Sequence, residues 1–295
     1  MTSLKTNLFN LVRSTLKIKI FEKVIRLFCK GKPSSHFISK LCPNNYQYKL
    51  GTIRNFNHNG IELEVDIHDY VGHFLYFGFK DTSHEALYSL INENDNIIDV
   101  GTNIGSTILQ FANLSGEESR IIGFEPDPVN FKSCQKNISL NKFKNIQVFS
   151  EGLGNEKGSF QLIVDEPSNR GMNRVSIENQ PGKSGAMINI ETLDSIIDRE
   201  KINRINLVKI DVEGFEMNVL KGAVKLVESQ SPIFFIEIDD NNLKKAGSSS
   251  LELTTFLIQM KYHVFNAEDN KQIDTNYNFL NCHFDIIAKP NQNYY

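Results

Sequence analysis

Between Asn96 and Asp239 the chain alternates short apolar runs with helix-patterned stretches, and few folds accept that order. The runs are NIIDV at 96–100, RIIGFE at 120–125, NIQVFS at 145–150, INLVKIDVE at 205–213 and PIFFIEID at 232–239. Each is too short for a stable helix and too continuously apolar to show one face to water. Strands of this kind are buried on both faces, as in a parallel sheet covered by helices. The helical stretches are STILQFANL (106–114), PVNFKSCQKNISLN (128–141) and FEMNVLKGAVKLVES (215–229), and Pro128 suits a first helical turn. LELTTFLIQM (251–260) is a further helix, and YHVFNA (262–267) and HFDIIAK (283–289) read as closing strands. The expectation is an α/β fold with a seven-stranded, mostly parallel sheet and helices on both faces.

Two different segments precede this body. Residues 4–28 place Leu4, Leu8, Val12, Leu16, Ile20, Val24 and Phe28 at helical spacing, Phe9, Phe21 and Ile25 widen the stripe, and Gly31 and Pro33 end the pattern. Residues 46–80 alternate around Ile61, Leu63, Val65 and Ile67 after an Asn59-Gly60 turn, which is a hairpin signal. The expected division is a basic helical extension at 1–45, a small β-rich lead-in at 46–90 and the main domain at 91–295. Residues 165–187, rich in Gly, Ser, Asn and Pro, are too long for an ordinary connection.

Charge separates along the chain. The formal net charge is −3, which argues against a general nucleic-acid binder. Residues 1–32 carry eight Lys or Arg and one acid, so this segment is +7 and the rest −10. A helix packed on the body or on a second copy of the chain is one reading, with a homo-oligomer as its consequence. A basic amphipathic helix lying on an anionic membrane is the other. Neither a secretory signal nor an uncharged apolar run of membrane-spanning length is evident in the sequence. The four cysteines, Cys29, Cys42, Cys134 and Cys282, form no metal or disulfide framework by spacing, which suits a reducing, cytoplasmic setting. The sequons at Asn113 and Asn137 carry no meaning there.

The chemistry centres on Asp99-Val-Gly-Thr-Asn-Ile-Gly105, between the first strand of the body and its helix. Glycine lets backbone approach a ligand, and a helix start offers free N–H groups. Glu125 follows at the end of the next strand, where a carboxylate can accept both ribose hydroxyls. A pyrophosphate-binding G-x-G-x-x-G would fall on Gly101, Asn103 and Ser106, so two of its glycines are missing. Asp99 would repel a pyrophosphate but suits the cationic amino end of S-adenosylmethionine. The site therefore favours that sulfonium nucleoside over NAD.

The segments NIIDVGTNIGSTIL, GFEPDPVNF, NIQVF, GNEKGSF, ETLDSI, NLVKIDVEGFEMNVLKGA and PIFFIEI, in this order, resemble the FkbM family of S-adenosylmethionine-dependent methyltransferases over roughly residues 90–240. The resemblance implies a class I methyltransferase fold and O-methyl transfer to a hydroxyl of a sugar, glycan or related small metabolite. It places Gly101, Asn103 and Gly105 on the cofactor turn, Glu125 on the ribose and Glu151 near the adenine. Residues 1–45 and 165–187 do not share in it.

Lys209, Asp211 and Glu213 share one side of the fourth strand if that strand persists so far. Asp211 or Glu213 is the expected base for the acceptor hydroxyl, with Glu237 assisting, because crowded carboxylates hold protons more tightly. A divalent cation held by these acids is the alternative, although no clear metal-ligand motif supports it. Two plainer roles compete: Asp211 and Glu213 as caps of the helix near Phe215, and Glu237 as an ion-pair partner of Lys209. Asp194 reads as a helix N-terminal residue, and the seven histidines, without metal-binding spacing, as structural or solvent-facing. Arg170 and Arg174 read as solvated loop residues, with an anionic sugar as their alternative partner. The rival functions are an NAD-type oxidoreductase on the same fold and a non-catalytic, partner-binding member.

Overall fold

The structure, a computed structural model, describes residues 13–164, 166, 168–176 and 185–291. The chain divides into two compact units. The first holds the residues up to Thr82 together with Glu166–Gly171, and the second holds the remainder.

In the first unit, α1 (Lys19–Cys29) precedes a hairpin of β1 (Ile53–His58) and β2 (Ile61–Asp66), followed by α2 (Tyr70–Phe77). The hairpin forms at the expected dipeptide: Asn59 and Gly60 both take positive φ, 50° and 94°, which a two-residue turn of this twist requires. Asp69 caps α2 by accepting the N–H groups of Val71 and Gly72. It also accepts the backbone N–H of Arg170, while Tyr70 donates to the carbonyl of Ser168, so part of the long loop is held in this unit.

Helix α1 turns its expected apolar stripe outward. Ile20, Val24 and Phe28 are exposed, with Phe21 and Leu27 beside them. Ile25 of the stripe is buried, together with Glu22 and Cys29, and Leu4, Leu8, Phe9 and Val12 lie outside the described residues. Glu22 is 1% exposed and pairs with Arg54 at 2.7 Å, while the Tyr76 hydroxyl donates to it at 2.9 Å. A buried, doubly partnered carboxylate is what fixes the rotation of this helix.

The second unit begins near α3 (Thr82–Tyr88) and continues through β3 (Ile97–Val100), α4 (Ser106–Ser115), β4 (Ile121–Phe124), α5 (Pro128–Ser139) and β5 (Ile146–Phe149). Then come β6 (Gly152–Leu153), β7 (Gly158–Ile163), β8 (Arg174–Ser176), β9 (Gly185–Glu191), α6 (Leu193–Glu200) and β10 (Leu207–Ile210). It closes with α7 (Glu216–Lys221), α8 (Val224–Gln230), β11 (Ile233–Asp239), α9 (Asp240–Lys245), α10 (Ser250–Gln259), β12 (Tyr262–Asn266), β13 (Gln272–Ile273) and β14 (His283–Pro290).

The main sheet runs β13-β12-β14-β11-β10-β3-β4-β5. Strands β5, β4, β3, β10 and β11 are mutually parallel, and β14, β12 and β13 add antiparallel. All seven expected strands form. The sheet nevertheless has eight strands, not seven: the two-residue β13 pairs at the edge, too short to leave a hydrophobic period. A separate four-stranded sheet, β6-β9-β7-β8, was also not anticipated, and β8 lies inside the stretch read as loop. Residues 177–184 of that stretch fall outside the described residues.

Alternate side chains of the parallel strands enter two different apolar clusters. Ile98, Val100, Ile122, Val208, Ile210 and Ile236 pack with Leu220, Leu226 and Leu253 from helices. Ile97, Ile121, Leu207 and Phe235 pack on the other face with Ile108 and Phe111 of α4 and Leu87 of α3. Both faces are thus covered, which explains why the strands read as unbroken apolar runs. Among the described residues no helix is long and apolar enough to cross a membrane.

Candidate active site

The turn after β3 is built by left-handed backbone. Gly101, Asn103 and Gly105 have φ of 87°, 50° and 89°. The glycines serve the protein's own packing as well as any ligand. A Cβ on Gly101 would lie 2.0 Å from the Asp211 carbonyl oxygen, and one on Gly105 would meet the Cys134 sulfur at 2.8 Å. Gly105 then serves as the N-cap of α4. Asn137, one of the sequon residues, is fully buried and donates from Nδ2 to the Ile104 carbonyl at 2.8 Å, holding the turn from α5.

Glu125, just past β4, is clamped by backbone. Its Oε2 accepts the Asn103 N–H at 2.8 Å and its Oε1 accepts the Asp127 N–H at 2.9 Å. Each oxygen keeps a further lone pair, so the carboxylate can still accept two hydroxyl donors, the demand of a ribose diol. Burial pushes its pKa up to about 7, against the pull of the two N–H groups. Asp127 caps α5 by accepting Val129 and Asn130 N–H, and Asn173 of the long loop donates to its other oxygen.

Asp99, next to last in β3, is fully buried, directly across the parallel ladder from Lys209. Lys209 Nζ lies 3.4 Å from Asp99 Oδ1, 3.2 Å from Asp211 Oδ2 and 3.0 Å from the Gly101 carbonyl oxygen. Burial alone would lower the lysine's pKa, but Asp211 and Asp99 outweigh it and hold the ammonium above its ordinary range. Burial lifts Asp99 to about 6 despite that ammonium. Apart from the Lys209 ammonium near Oδ1, neither Asp99 oxygen has a hydrogen-bond donor among the described residues. This is a buried anion with acceptor capacity left over, as a cationic amino group would require.

The strand β10 stops at Ile210, so alternation does not carry Asp211 and Glu213. They converge through the loop instead, with Glu213 in left-handed backbone at φ 53°. One carboxylate oxygen each from Asp211, Glu213 and Glu237 lies within 4.8 Å of the others. Burial opposes ionisation of Asp211, but Lys209 overcomes this and holds its pKa below the usual value. Glu213 and Glu237 are pushed up to about 9 and about 8, by burial first and then by neighbouring carboxylates. Asp211 is thus held ionised, while Glu213 and Glu237 hold their protons more tightly than an ordinary carboxyl group.

The plainer roles go to other residues. Capping at the loop is done by Glu216, which accepts the Val212 and Gly214 N–H groups. Glu213 accepts from Asn242 Nδ2 at 2.9 Å. Glu237 pairs with His283 at 3.0 Å, not with Lys209. His283 also lies 3.7 Å from Asp239 and is raised to about 9, chiefly by its bond to Glu237. His84 on α3 adds positive potential toward Asp99 and Asp211. Glu151 accepts from Arg199 at 3.2 Å, near the surface. Asp194 holds the start of α8 by accepting Lys225 and Leu226 N–H.

The sequence profile described as "Methyltransferase FkbM domain" matches residues 99–264, more than half of the chain. The chain belongs to this FkbM methyltransferase family. Its relatives include "Methyltransferase 1" of Beauveria bassiana, 32% identical over 143 residues, which cover 43% of this chain and 57% of that protein. Another is "Hexuronic acid methyltransferase AglP" of Haloferax volcanii, 30% identical over 184 residues, covering 62% of this chain and 69% of that one. A crystal structure of Methyltransferase FkbM from Methylobacillus flagellatus aligns at a TM-score of 0.45 and 17% identity, over 74% of this chain and 52% of that one. The chain thus spans little more than half the length of some relatives that it matches.

Proposed function

We propose that this FkbM member is an S-adenosylmethionine-dependent O-methyltransferase acting on a hydroxyl of a sugar, glycan or related metabolite. The observation that carries the reading is the backbone-clamped carboxylate of Glu125 beside buried Asp99, with a second group of carboxylates at the ends of β10 and β11. When bound, the cofactor supplies an electrophilic methyl group on a positively charged sulfur. Glu125 accepts the ribose hydroxyls, and Asp99 lends negative potential to the amino end. Glu237 takes the acceptor's proton, because its pKa of about 8 lets it ionise near neutrality and makes it the more basic partner of Asp211. Glu213 positions Asn242 by accepting from its Nδ2. Substrate alignment supplies much of the remaining acceleration.

The similarity to the Haloferax hexuronic acid methyltransferase supports a saccharide acceptor. A radiolabelled methyl-transfer screen over sugars, glycolipids and small hydroxylated metabolites tests this. Label transfer to a saccharide hydroxyl is expected, and transfer confined to amines or thiols would overturn it. S-adenosylhomocysteine should raise the melting temperature and NAD should not. The reverse result would favour the oxidoreductase, and binding without transfer the non-catalytic reading.

The same acids have the donor chemistry to hold a hard divalent cation as an alternative to the base. Dialysis against a chelator separates the two: full activity afterwards supports direct proton transfer, and loss restored by Mg²⁺ supports the cation.

We also propose that α1 rests on an anionic membrane surface. The supporting observation is its exposed apolar stripe, Ile20, Phe21, Val24, Leu27 and Phe28, bordered by exposed Lys19, Lys23 and Lys30. Cosedimentation with phosphatidylglycerol vesicles, weakened by salt and by Leu27→Glu, is expected. Equal binding to neutral vesicles would remove the charge argument, and a concentration-dependent dimer abolished by the same substitution would assign the stripe to a second copy.

A further inference from the structure

Two cysteines that the sequence leaves thirteen positions apart meet in the first unit. Cys29 is the last residue of α1 and Cys42 follows a short helical turn at Ser39–Leu41. Their sulfur atoms are 3.1 Å apart, both as free thiols, and the side chains are 0% and 3% exposed. The chain on either side is tied down. Gly31 N–H donates to the Gly78 carbonyl, Lys80 N–H donates to the Lys32 carbonyl, and the Arg13 guanidinium donates to the Lys40 carbonyl. Beyond Cys42, the Pro43 carbonyl oxygen lies 2.7 Å from His73 Nε2. The approach of the sulfurs is therefore set by backbone anchors on both arms, and closing it to a bond asks for a movement of about 1 Å.

We propose that Cys29 and Cys42 are a disulfide-forming pair that is oxidised by a small-molecule disulfide, joining the end of α1 to the segment leading into the hairpin. Nothing in the methyl-transfer reading requires or uses this pair. Cys29 is the attacking sulfur. The hydrogen bond from Cys42, with Ser39 and Lys32 nearby, holds its thiol below the ordinary value against burial. Cys42 is pushed above its own by the same bond and by burial. The Cys29 thiolate bonds to one sulfur of the small disulfide and expels the other half as a thiolate. Cys42 then loses its proton, attacks Cys29 in the mixed disulfide and expels the second half. Two protein thiols are oxidised by two electrons, one small disulfide is reduced to two thiols, and the protons pass to the departing thiolates. Burial makes the first step slow, since the small disulfide enters only when the last turn of α1 opens.

The test uses the full chain equilibrated in buffers of increasing oxidised-to-reduced glutathione ratio. The chain is then unfolded in guanidinium containing excess N-ethylmaleimide, so that each free thiol is blocked as it is exposed, and the peptides are mapped by mass. The expected product is one linked pair of peptides containing Cys29 and Cys42, lighter by two hydrogens and reversed by dithiothreitol. Cys134 and Cys282 should remain blocked thiols throughout. The native chain should form the link at a glutathione ratio at least about tenfold lower than the same chain unfolded in guanidinium, because the fold raises the effective concentration of the second thiol. Oxidation should also raise the melting temperature. Two blocked thiols at every ratio, a glutathione adduct on Cys29 that never resolves, or equal link formation in the unfolded chain would each overturn the proposal. Cys42→Ser should stop the reaction at the Cys29 adduct. Should that variant fail to fold, the wild-type map and its unfolded control still decide.

Discussion

Lys209 Nζ donates to the carbonyl oxygen of Gly101 at 3.0 Å, tying the middle strand of the sheet to the turn that opens the candidate cofactor site. The same ammonium neutralises Asp99 on its own face of the sheet and Asp211 at the strand end. One buried cation thus supports both halves of the site.

Lys209→Met should therefore be costly to folding. It leaves Asp99 buried without a counter-charge, and breaking a buried pair by removing one partner costs about 3 kcal/mol or more. A clear fall in the urea midpoint is expected. An unchanged midpoint would show that solvent reaches Asp99 and that the lysine is dispensable.

Glu125→Gln should weaken S-adenosylhomocysteine binding by at least about tenfold, since one charged acceptor of two backbone N–H groups and of a ribose diol is replaced by a neutral amide. Calorimetric titration measures it, with the melting temperature of the free protein as control. Undiminished affinity would move the ribose elsewhere.

Turnover should rise with pH through about 8, the region where Glu237 ionises, and level off above it. Glu237→Gln should lower kcat by about a hundredfold or more while S-adenosylhomocysteine still binds. The groups around Glu237 are Asp211, Glu213, Glu216, Asp285, Lys209 and His283, and the hydrogen bond from His283 favours the ionised carboxylate. His283→Asn should therefore shift the rising limb to higher pH, by about one pH unit. A profile that stays in place would remove His283 from the proton's path.

Glu213 gives a stability signature of opposite sign to the usual carboxylate. Its folded pKa of about 9 lies above the ordinary 4.5, so between these values the folded chain holds a proton that the unfolded chain has lost. Stability from this group falls as pH rises across that window and is constant below and above it. Glu213→Gln should match wild type near pH 4 and exceed it near pH 9 by about 1 kcal/mol or more. A variant less stable than wild type at pH 9 would mean that the ionised carboxylate is the stabilising form, as a bound cation would make it.

The body of the fold was legible because its strands are buried on both faces and so announce themselves as apolar runs. Asn59-Gly60 and Asp99–Gly105 were legible for a local reason, since positive φ restricts the residues that can stand there. Glu125 could be placed because a strand end in a parallel sheet has a known relation to the turn beside it. Other relationships are long-range and leave no period in the chain. These include the Lys209 hub, the Glu237–His283 pair, the Glu151–Arg199 pair and the meeting of Cys29 with Cys42. The helical stripe at the N-terminus shows the limit most clearly. Periodicity identified a helix, but which face is buried depended on Arg54 and Tyr76, residues of a later hairpin and helix that claim Glu22 for the interior. Local pattern sets what a segment can become; the partners that fix its orientation are supplied by distant parts of the chain, through charge pairing and packing that sequence spacing does not encode.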